Sequence, residues 1–318
     1  MDFSLILARE FSLRPQQVQA VIDLLDAGNT IPFIARYRKE ATGSLDDQVL
    51  REMAERLEYL RNLEKRRLEI EKTLEEQGVL TDELKAQLAA ATTLSELEDL
   101  YRPFRPKRRT RATVAKERGL EPLALWLMLQ QPGDPLPEAA KYVDPEKEVP
   151  DAEAALAGAR DIIAETVSDD AAIRRELREM FTREGILRTK AAKEEDSVYS
   201  MYYDFSEPVR SIAAHRVLAV NRGEREEFLK VALEVPEEKA LAAVSRAFVR
   251  ASNDAARQVN AACEDAYGRL IFPSLEREIR NELTDRANVS AIRVFSQNLH
   301  QLLMQPPRGT PISRTAGS

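Results

Sequence analysis

The sequence predicts a mostly α-helical protein, and three observations lead to that fold class. Apolar residues recur at steps of three or four along most of the chain, which places them on one face of a helix. Capping-box patterns, in which Ser or Thr precedes an acidic residue by three positions, come before two of these segments. Glycine is scarce, with 11 residues in 318. We therefore expect an all-α chain with at most one short pair of strands.

The first elements are predicted to be short helices. Pro15 suits the first turn of a helix that ends at Gly28. An amphipathic segment follows over residues 31–43, and its apolar side is expected to carry Ile31, Ile34 and Tyr37.

The longest helix is predicted over residues 44–77. Ser44, with Asp47 three positions later, forms a capping-box pattern at its start, and Gly78 marks its end. About 30 residues at 1.5 Å each give a helix of roughly 45 Å. One apolar stripe is expected to pack against neighbouring helices: Val49, Met53, Leu57, Leu60, Leu63, Ile70 and Leu74.

Helices are predicted to continue to about residue 304. Thr81 and Thr93 suit N-caps, and Gly119 suits the end of a helix over residues 112–118. Further helices are expected near residues 151–166 and 171–184 and from 237 to about 304, with one short strand over 229–235.

These patterns predict two helical parts, residues 1–130 and residues 151–305. Five prolines identify residues 131–150 as a connection between them. Residues 306–318 are polar and contain Pro and Gly without a periodic pattern, so an irregular tail is expected there.

Several classes of catalytic site are missing from the sequence. No two glycines are close enough for a phosphate-binding loop, and one cysteine, Cys263, gives neither a disulfide nor a Cys-based zinc site. The two histidines, His215 and His300, are too far apart in the sequence for a paired metal motif. We therefore expect that the chain is not an enzyme and that it binds neither a cofactor nor a metal. Without a signal-peptide pattern or an apolar stretch of about 20 residues, we expect a cytoplasmic protein and no membrane partner.

The most informative feature is one basic segment, residues 102–118. It holds eight basic residues and one acidic residue, although the whole chain has a net charge of −7. Arginine suits bidentate contact with phosphate, and Pro103 and Pro106 are expected to bend the backbone. The candidate nucleic-acid contacts are Arg102, Arg105, Lys107, Arg108, Arg109, Arg111 and Lys116, extended by Arg36, Arg38 and Lys39. The alternative is that these arginines pair with the chain's own carboxylates.

Five segments, in order, resemble the bacterial Tex family of transcription accessory proteins, which is similar to the eukaryotic suppressor-of-Ty elongation factor. They are IPFIARYRKEATGSLDD (31–47), LEDLYRPFRPKRRTRATVAKERGLEPLA (97–124), EAALAGARDIIAE (153–165), YDFSEPVRSIAAHRVLAVNRGERE (203–226) and PSLEREIRNEL (273–283). The resemblance implies a helix-turn-helix-like part and a long central helix. Family members continue into an RNase H-like domain, helix-hairpin-helix modules and an OB-fold module, so this chain is expected to be truncated before them.

Residues and resemblance together predict a non-catalytic, nucleic-acid-binding transcription accessory factor that acts as a helical scaffold. Its expected partners are RNA or DNA without sequence preference, and RNA polymerase or ribosome-associated proteins. The alternative is a scaffold for protein–protein contacts only, docking on the transcription or translation machinery.

Overall fold

The computed structural model describes residues 2–105, 109–193 and 195–304. Its contacts divide the chain into two compact units, residues 1–106 and residues 107–318. Both units are built mainly from helices, which confirms the predicted class. The predicted tail at residues 306–318 lies outside the described residues.

The described residues of the first unit form helices joined by short loops, without a strand. Its helices are α1 (Phe3–Glu10), α2 (Pro15–Asp26), α3 (Ile31–Tyr37), α4 (Lys39–Thr42), α5 (Asp47–Glu76), α6 (Asp82–Ala90) and α7 (Leu94–Tyr101), followed by a 3-10 turn at Arg102–Phe104. Pro15 opens α2, and the side chains of Thr81 and Thr93 cap α6 and α7, as predicted.

The long helix α5 forms as predicted, but it begins at a different cap. The Asp46 carboxylate accepts the Val49 backbone N–H at 2.8 Å and is the N-cap. Ser44 instead has a left-handed backbone, with φ of 64°, so the predicted capping box is wrong. A left-handed residue cannot take the extended backbone that an N-cap needs.

The predicted stripe of α5 is buried from Met53 to Leu74, and Leu50 belongs to it while Val49 is only half-buried. Arg67 is also buried within this stripe. Its guanidinium donates to the carbonyl oxygens of Leu88 and Ala91, at 2.9 and 3.0 Å. These carbonyls lie at the C-terminal end of α6, where helix carbonyls lack partners within the helix. Arg67 therefore fixes the end of α6 against α5.

The second unit combines nine described helices with a small sheet. The helices are α8 (Arg111–Glu117), α9 (Glu121–Leu129), α10 (Pro135–Ala140), α11 (Ala152–Ser168), α12 (Ala171–Glu184), α13 (Ala214–Arg225), α14 (Glu237–Phe248), α15 (Asp254–Asp265) and α16 (Phe272–Leu303). A π-helical segment, Ala266–Ile271, joins α15 to α16.

The sheet contains three antiparallel strands in the order β2-β1-β3: β1 (Ile186–Ala191), β2 (Asp204–Pro208) and β3 (Leu229–Glu234). The prediction of at most one strand pair is therefore wrong in this detail, although the strand near residues 229–235 is confirmed. In the central strand β1, Leu187 and Thr189 face inward while Arg188 and Lys190 are more exposed. A strand with only one large apolar side chain in its buried face gives a weak sequence pattern.

The boundary between the units differs from the predicted domains. Helices α8 and α9 fall in the predicted first part, yet Leu120, Leu123 and Leu127 pack in the core that contains α11. Gly158 on α11 permits this close approach, because a Cβ atom there would lie 2.3 Å from Leu120 Cδ1. The predicted connection, residues 131–150, is an ordered segment that packs α10 against α11.

We predict that truncating the α5 stripe destabilises the protein, whereas truncating the opposite face does not. Leu57 is 3% exposed, so Leu57→Ala should lower the free energy of unfolding by about 2–5 kcal/mol. Leu68→Ala is the matched control in the same helix, because Leu68 is 56% exposed. Urea denaturation of the two variants measures the difference. Equal losses would contradict the assignment of a single buried face.

Candidate nucleic-acid interface

The basic segment crosses the boundary between the two units. Arg102 and Arg105 belong to the first unit, and the residues from 107 onward belong to the second. Pro106, Lys107 and Arg108, all named in the predicted bend or contact, lie outside the described residues. Pro103 lies in the 3-10 turn that follows α7, so the helix is interrupted where the sequence predicts.

In the first unit, the end of the basic segment packs around one tyrosine. Tyr101 is buried, and the guanidinium groups of Arg66 and Arg105 lie 5.7 and 5.6 Å from its ring centroid. Both arginines form ion pairs with Glu98. Arg102 is half-buried beside this group. Arg105 is therefore held by a carboxylate and an aromatic ring of its own unit.

In the second unit, three further cations of the segment have carboxylate partners. Arg109 pairs with Glu117 at 3.1 Å and Lys116 with Glu121 at 3.7 Å, while Arg118 pairs with Glu148. These pairs are the arrangement that the alternative interpretation expects. The Arg109 pair is open to water, however, with side chains 72% and 55% exposed.

Arg111 lies at the start of α8, near an acidic group on α11. Burial raises the pKa of Asp161, and the nearby charges of Arg269 and Arg111 act in the opposite direction. Thr110 anchors the same helix start, because its hydroxyl donates to Glu165 at 3.0 Å. Arg111 itself is exposed, so its guanidinium contacts solvent as well as lying near this acidic group.

The predicted extension on α3 and α4 has a different environment. Arg36, Arg38 and Lys39 are exposed, and the described part of the chain gives none of them a carboxylate partner. Tyr37 is 62% exposed, so its prediction on the apolar side of the segment is wrong, whereas Ile34 is fully buried. Helix α3 ends at Tyr37, and its last residue extends beyond the packed face.

Other side chains considered for chemistry have structural surroundings. Cys263 is fully buried, and burial raises its pKa to about 12, so the thiol is held in its neutral, unreactive form. Tyr199 and Tyr202 pack into the core of the second unit. His215 is exposed on α13. Within the described ranges, no group of three or more His, Cys, Asp or Glu side chains is placed to hold a metal.

Helix α16 has two contrasting halves. Leu275, Ile279 and Leu283 are buried, and Glu278 pairs with Arg178 on α12 at 2.6 Å. Beyond this half, large apolar side chains are exposed to solvent: Val289, Ile292, Val294, Phe295, Leu299, Leu302 and Leu303. Residues 289–304 contain one charged residue, Arg293, in a chain that is 32% charged. Such a composition is typical of a helix surface that is buried against another polypeptide. No helix in the described residues is long and apolar enough to span a bilayer.

The chain matches two protein-family models and is similar to several known proteins. A family model described as the Tex-like protein N-terminal domain matches residues 1–75, and one described as Tex central region-like matches residues 130–295. The chain is 44% identical to the Bacillus subtilis protein YdcI, over 95% of this chain and 43% of that protein. It is 42% identical to the transcriptional accessory protein Tex of Neisseria gonorrhoeae, over 97% of this chain and 42% of that protein.

A more distant similarity extends to the human S1 RNA-binding domain-containing protein 1, at 28% identity over 96% of this chain and 32% of that protein. The chain spans less than half the length of these curated relatives. Because the two family matches cover most of its residues, the chain belongs to the Tex family of transcription accessory proteins.

Proposed function

We propose that this chain is a non-catalytic, cytoplasmic transcription accessory factor that binds RNA or DNA through phosphate contacts. The observation that carries the proposal is the basic segment, eight cations to one acidic residue in a chain of net charge −7. Membership of the Tex family supports it. So does the similarity to a protein named for an S1 RNA-binding domain.

The ion pairs of the basic segment are compatible with phosphate binding. Exposed ion pairs contribute only about 0–1 kcal/mol, because water and salt screen them. A phosphate that approaches Arg109 therefore displaces Glu117 at little cost, and each phosphate neutralised also releases condensed counterions. The expected binding is sequence-independent and strongly salt-dependent, because phosphate contacts do not read bases.

The absence of catalysis is part of the same proposal. A hydrolase or transferase needs an activated nucleophile, a placed acid and base or a bound metal. The thiol of Cys263 is buried and neutral, and the carboxylates of Glu117, Glu278 and Asp46 are used in ion pairs or a helix cap. We propose that the helices hold binding surfaces only.

We predict that Arg109→Ala/Arg111→Ala weakens nucleic-acid binding and its dependence on salt. Each lost phosphate contact should make the plot of log K against log salt concentration shallower by about one unit on duplex DNA. The double variant should therefore lose about two units. Fluorescence anisotropy with a labelled duplex, repeated over a salt series, measures this slope.

The matched control is Arg183→Ala/Arg246→Ala. It removes the same charge from two exposed arginines that pair with Glu184 and Glu176, away from the basic segment in sequence. An equal loss in both variants would show that only overall charge matters. Unchanged binding by the Arg109/Arg111 variant would mean that its arginines serve the protein's own carboxylates.

The exposed half of α16 favours a second candidate function, a scaffold for protein contacts. A largely apolar surface, with Arg293 as its one charged residue, attracts protein rather than phosphate. The occupant we propose is a protein of the transcription or translation machinery, and membership of the Tex family supports this choice.

We predict that the two halves of α16 differ in what they contribute to stability. Ile279 is buried, so Ile279→Ala should lower the free energy of unfolding by about 2–5 kcal/mol. Ile292 is 68% exposed, so Ile292→Ala should change it by less than about 0.5 kcal/mol. Urea denaturation with sedimentation analysis tests both variants. A large effect of Ile292→Ala would show that this half is already covered within the chain or by a second copy.

A further inference from the structure

The cation-rich turn between α3 and α4 is held firmly by the first unit. Ile34 is fully buried and anchors α3 in the core that also contains α5. The backbone N–H of Arg38 donates to the Ile34 carbonyl at 3.0 Å, and the buried Thr42 hydroxyl donates to the Arg38 carbonyl at 3.2 Å. The four exposed residues from Arg36 to Lys39, here named the Tyr37 patch, are thus presented on a fixed backbone.

The end of α4 is fixed in the same way. Gly43 has φ of +72°, a conformation that L side chains rarely adopt, and it ends α4. The Gln17 side chain on α2 donates to the Thr42 carbonyl at 3.2 Å. A Cβ atom at residue 43 would lie 1.9 Å from that side chain, so glycine also allows α2 to approach. The patch is therefore attached to α2 at one side and to the core through Ile34.

Aromatic rings give the patch a surface that a simple cluster of cations lacks. The Tyr37 and Phe33 ring centroids lie 5.2 Å apart, with an angle of 44° between the ring planes. The Arg38 guanidinium lies 5.3 Å from the Phe33 centroid. Phe33 is half-buried and lies beside both neighbours, while Tyr37 is 62% exposed. An exposed, supported ring can stack against another flat, aromatic group.

The charges of the patch are available as well. Arg36, Arg38 and Lys39 are exposed neighbours of Tyr37 in the sequence, and among the described residues none of them forms an ion pair. Arg105, Arg109 and Lys116 of the basic segment, by contrast, all have carboxylate partners. A phosphate that binds these cations therefore displaces no carboxylate of the described residues.

We propose that the Tyr37 patch is a binding platform for single-stranded nucleic acid. One base stacks on Tyr37, and the phosphates on either side contact Arg36, Arg38 and Lys39. The ligand is a single strand because bases in a duplex are already stacked on each other, which leaves the ring without a partner. This inference rests on the proposed nucleic-acid binding, but it involves α3 and α4 rather than the basic segment, and stacking rather than phosphate contact alone.

The test uses the full chain with labelled single strands of about twelve deoxyuridines or uridines and with a duplex of equal length. Base stacking on an aromatic side chain changes the affinity by about 5- to 150-fold. Tyr37→Ala should weaken binding of both single strands within this range and leave duplex binding unchanged. Tyr37→Phe keeps the stacking ring and should bind nearly as wild type. Because no charge is removed, Tyr37→Ala should keep the salt slope.

The cations are tested separately with Arg36→Ala/Lys39→Ala. Two lost phosphate contacts should make the salt slope on single strands shallower by about 1.4 units. Lys65→Ala/Lys85→Ala is the matched control, because it removes two exposed lysines from the same unit. Leu68→Ala controls for the loss of an exposed apolar side chain. Circular dichroism confirms that each variant keeps its helices.

Each outcome decides between the two proposals. Single-strand binding by Tyr37→Ala equal to wild type, or a loss shared equally with the duplex, overturns the stacking platform and leaves the proposed function standing. A wild-type chain that binds neither single strand nor duplex overturns both. A loss with Tyr37→Ala on single strands only, restored by Tyr37→Phe, supports the platform, and the RNA and DNA arms then show whether the sugar matters.

Discussion

Under the proposed function, carboxylates of the chain and phosphates of a nucleic acid compete for the same arginines. The chain has 54 acidic and 47 basic side chains, so many cations find a carboxylate of their own chain nearby. A cation is then useful to a partner only if its internal ion pair is weak or absent. The basic segment depends on the first condition, because its pairs with Glu117 and Glu121 are exposed. The turn between α3 and α4 meets the second condition, because its three cations form no ion pair among the described residues.

The packing of the helices determines which cations have a carboxylate partner. In the first unit, the α5 stripe packs against α1, α2 and α3 and brings Ile34 into the core, which turns Arg36, Tyr37 and Arg38 outward. In the second unit, α8 lies against α11, whose acidic residues Asp161 and Glu165 face Thr110 and Arg111. The same packing that orders α8 therefore places carboxylates beside its cations. The density of charge along the sequence therefore does not show which cations have carboxylates beside them.

Local patterns predicted much of the fold, because caps and apolar stripes act over a few residues. Thr81, Thr93 and the α5 stripe are of this kind. The predicted Ser44 capping box failed because two polar residues lie close together at this helix start: Ser44 is left-handed, and Asp46 accepts the Val49 N–H instead. The buried Arg67 reaches carbonyls on α6, a contact between distant residues that no local pattern reports. For the candidate site, the sequence identified the cations but not their partners, and it placed the Tyr37 ring on the wrong side. An aromatic residue at the last position of a helix can point either way, and only the packing of α3 decides it.

The most direct test of the account is ultraviolet cross-linking of the full chain to a labelled single strand, followed by mass spectrometry of its peptides. Cross-linking requires close contact between a base and a side chain, so it locates stacking rather than charge. The account predicts a cross-link on the peptide that contains Tyr37, reduced by high salt and by competing unlabelled single strand. An unmodified Tyr37 peptide, with cross-links only on other peptides, would contradict stacking on Tyr37, and cross-links on the basic segment would leave the proposed function standing.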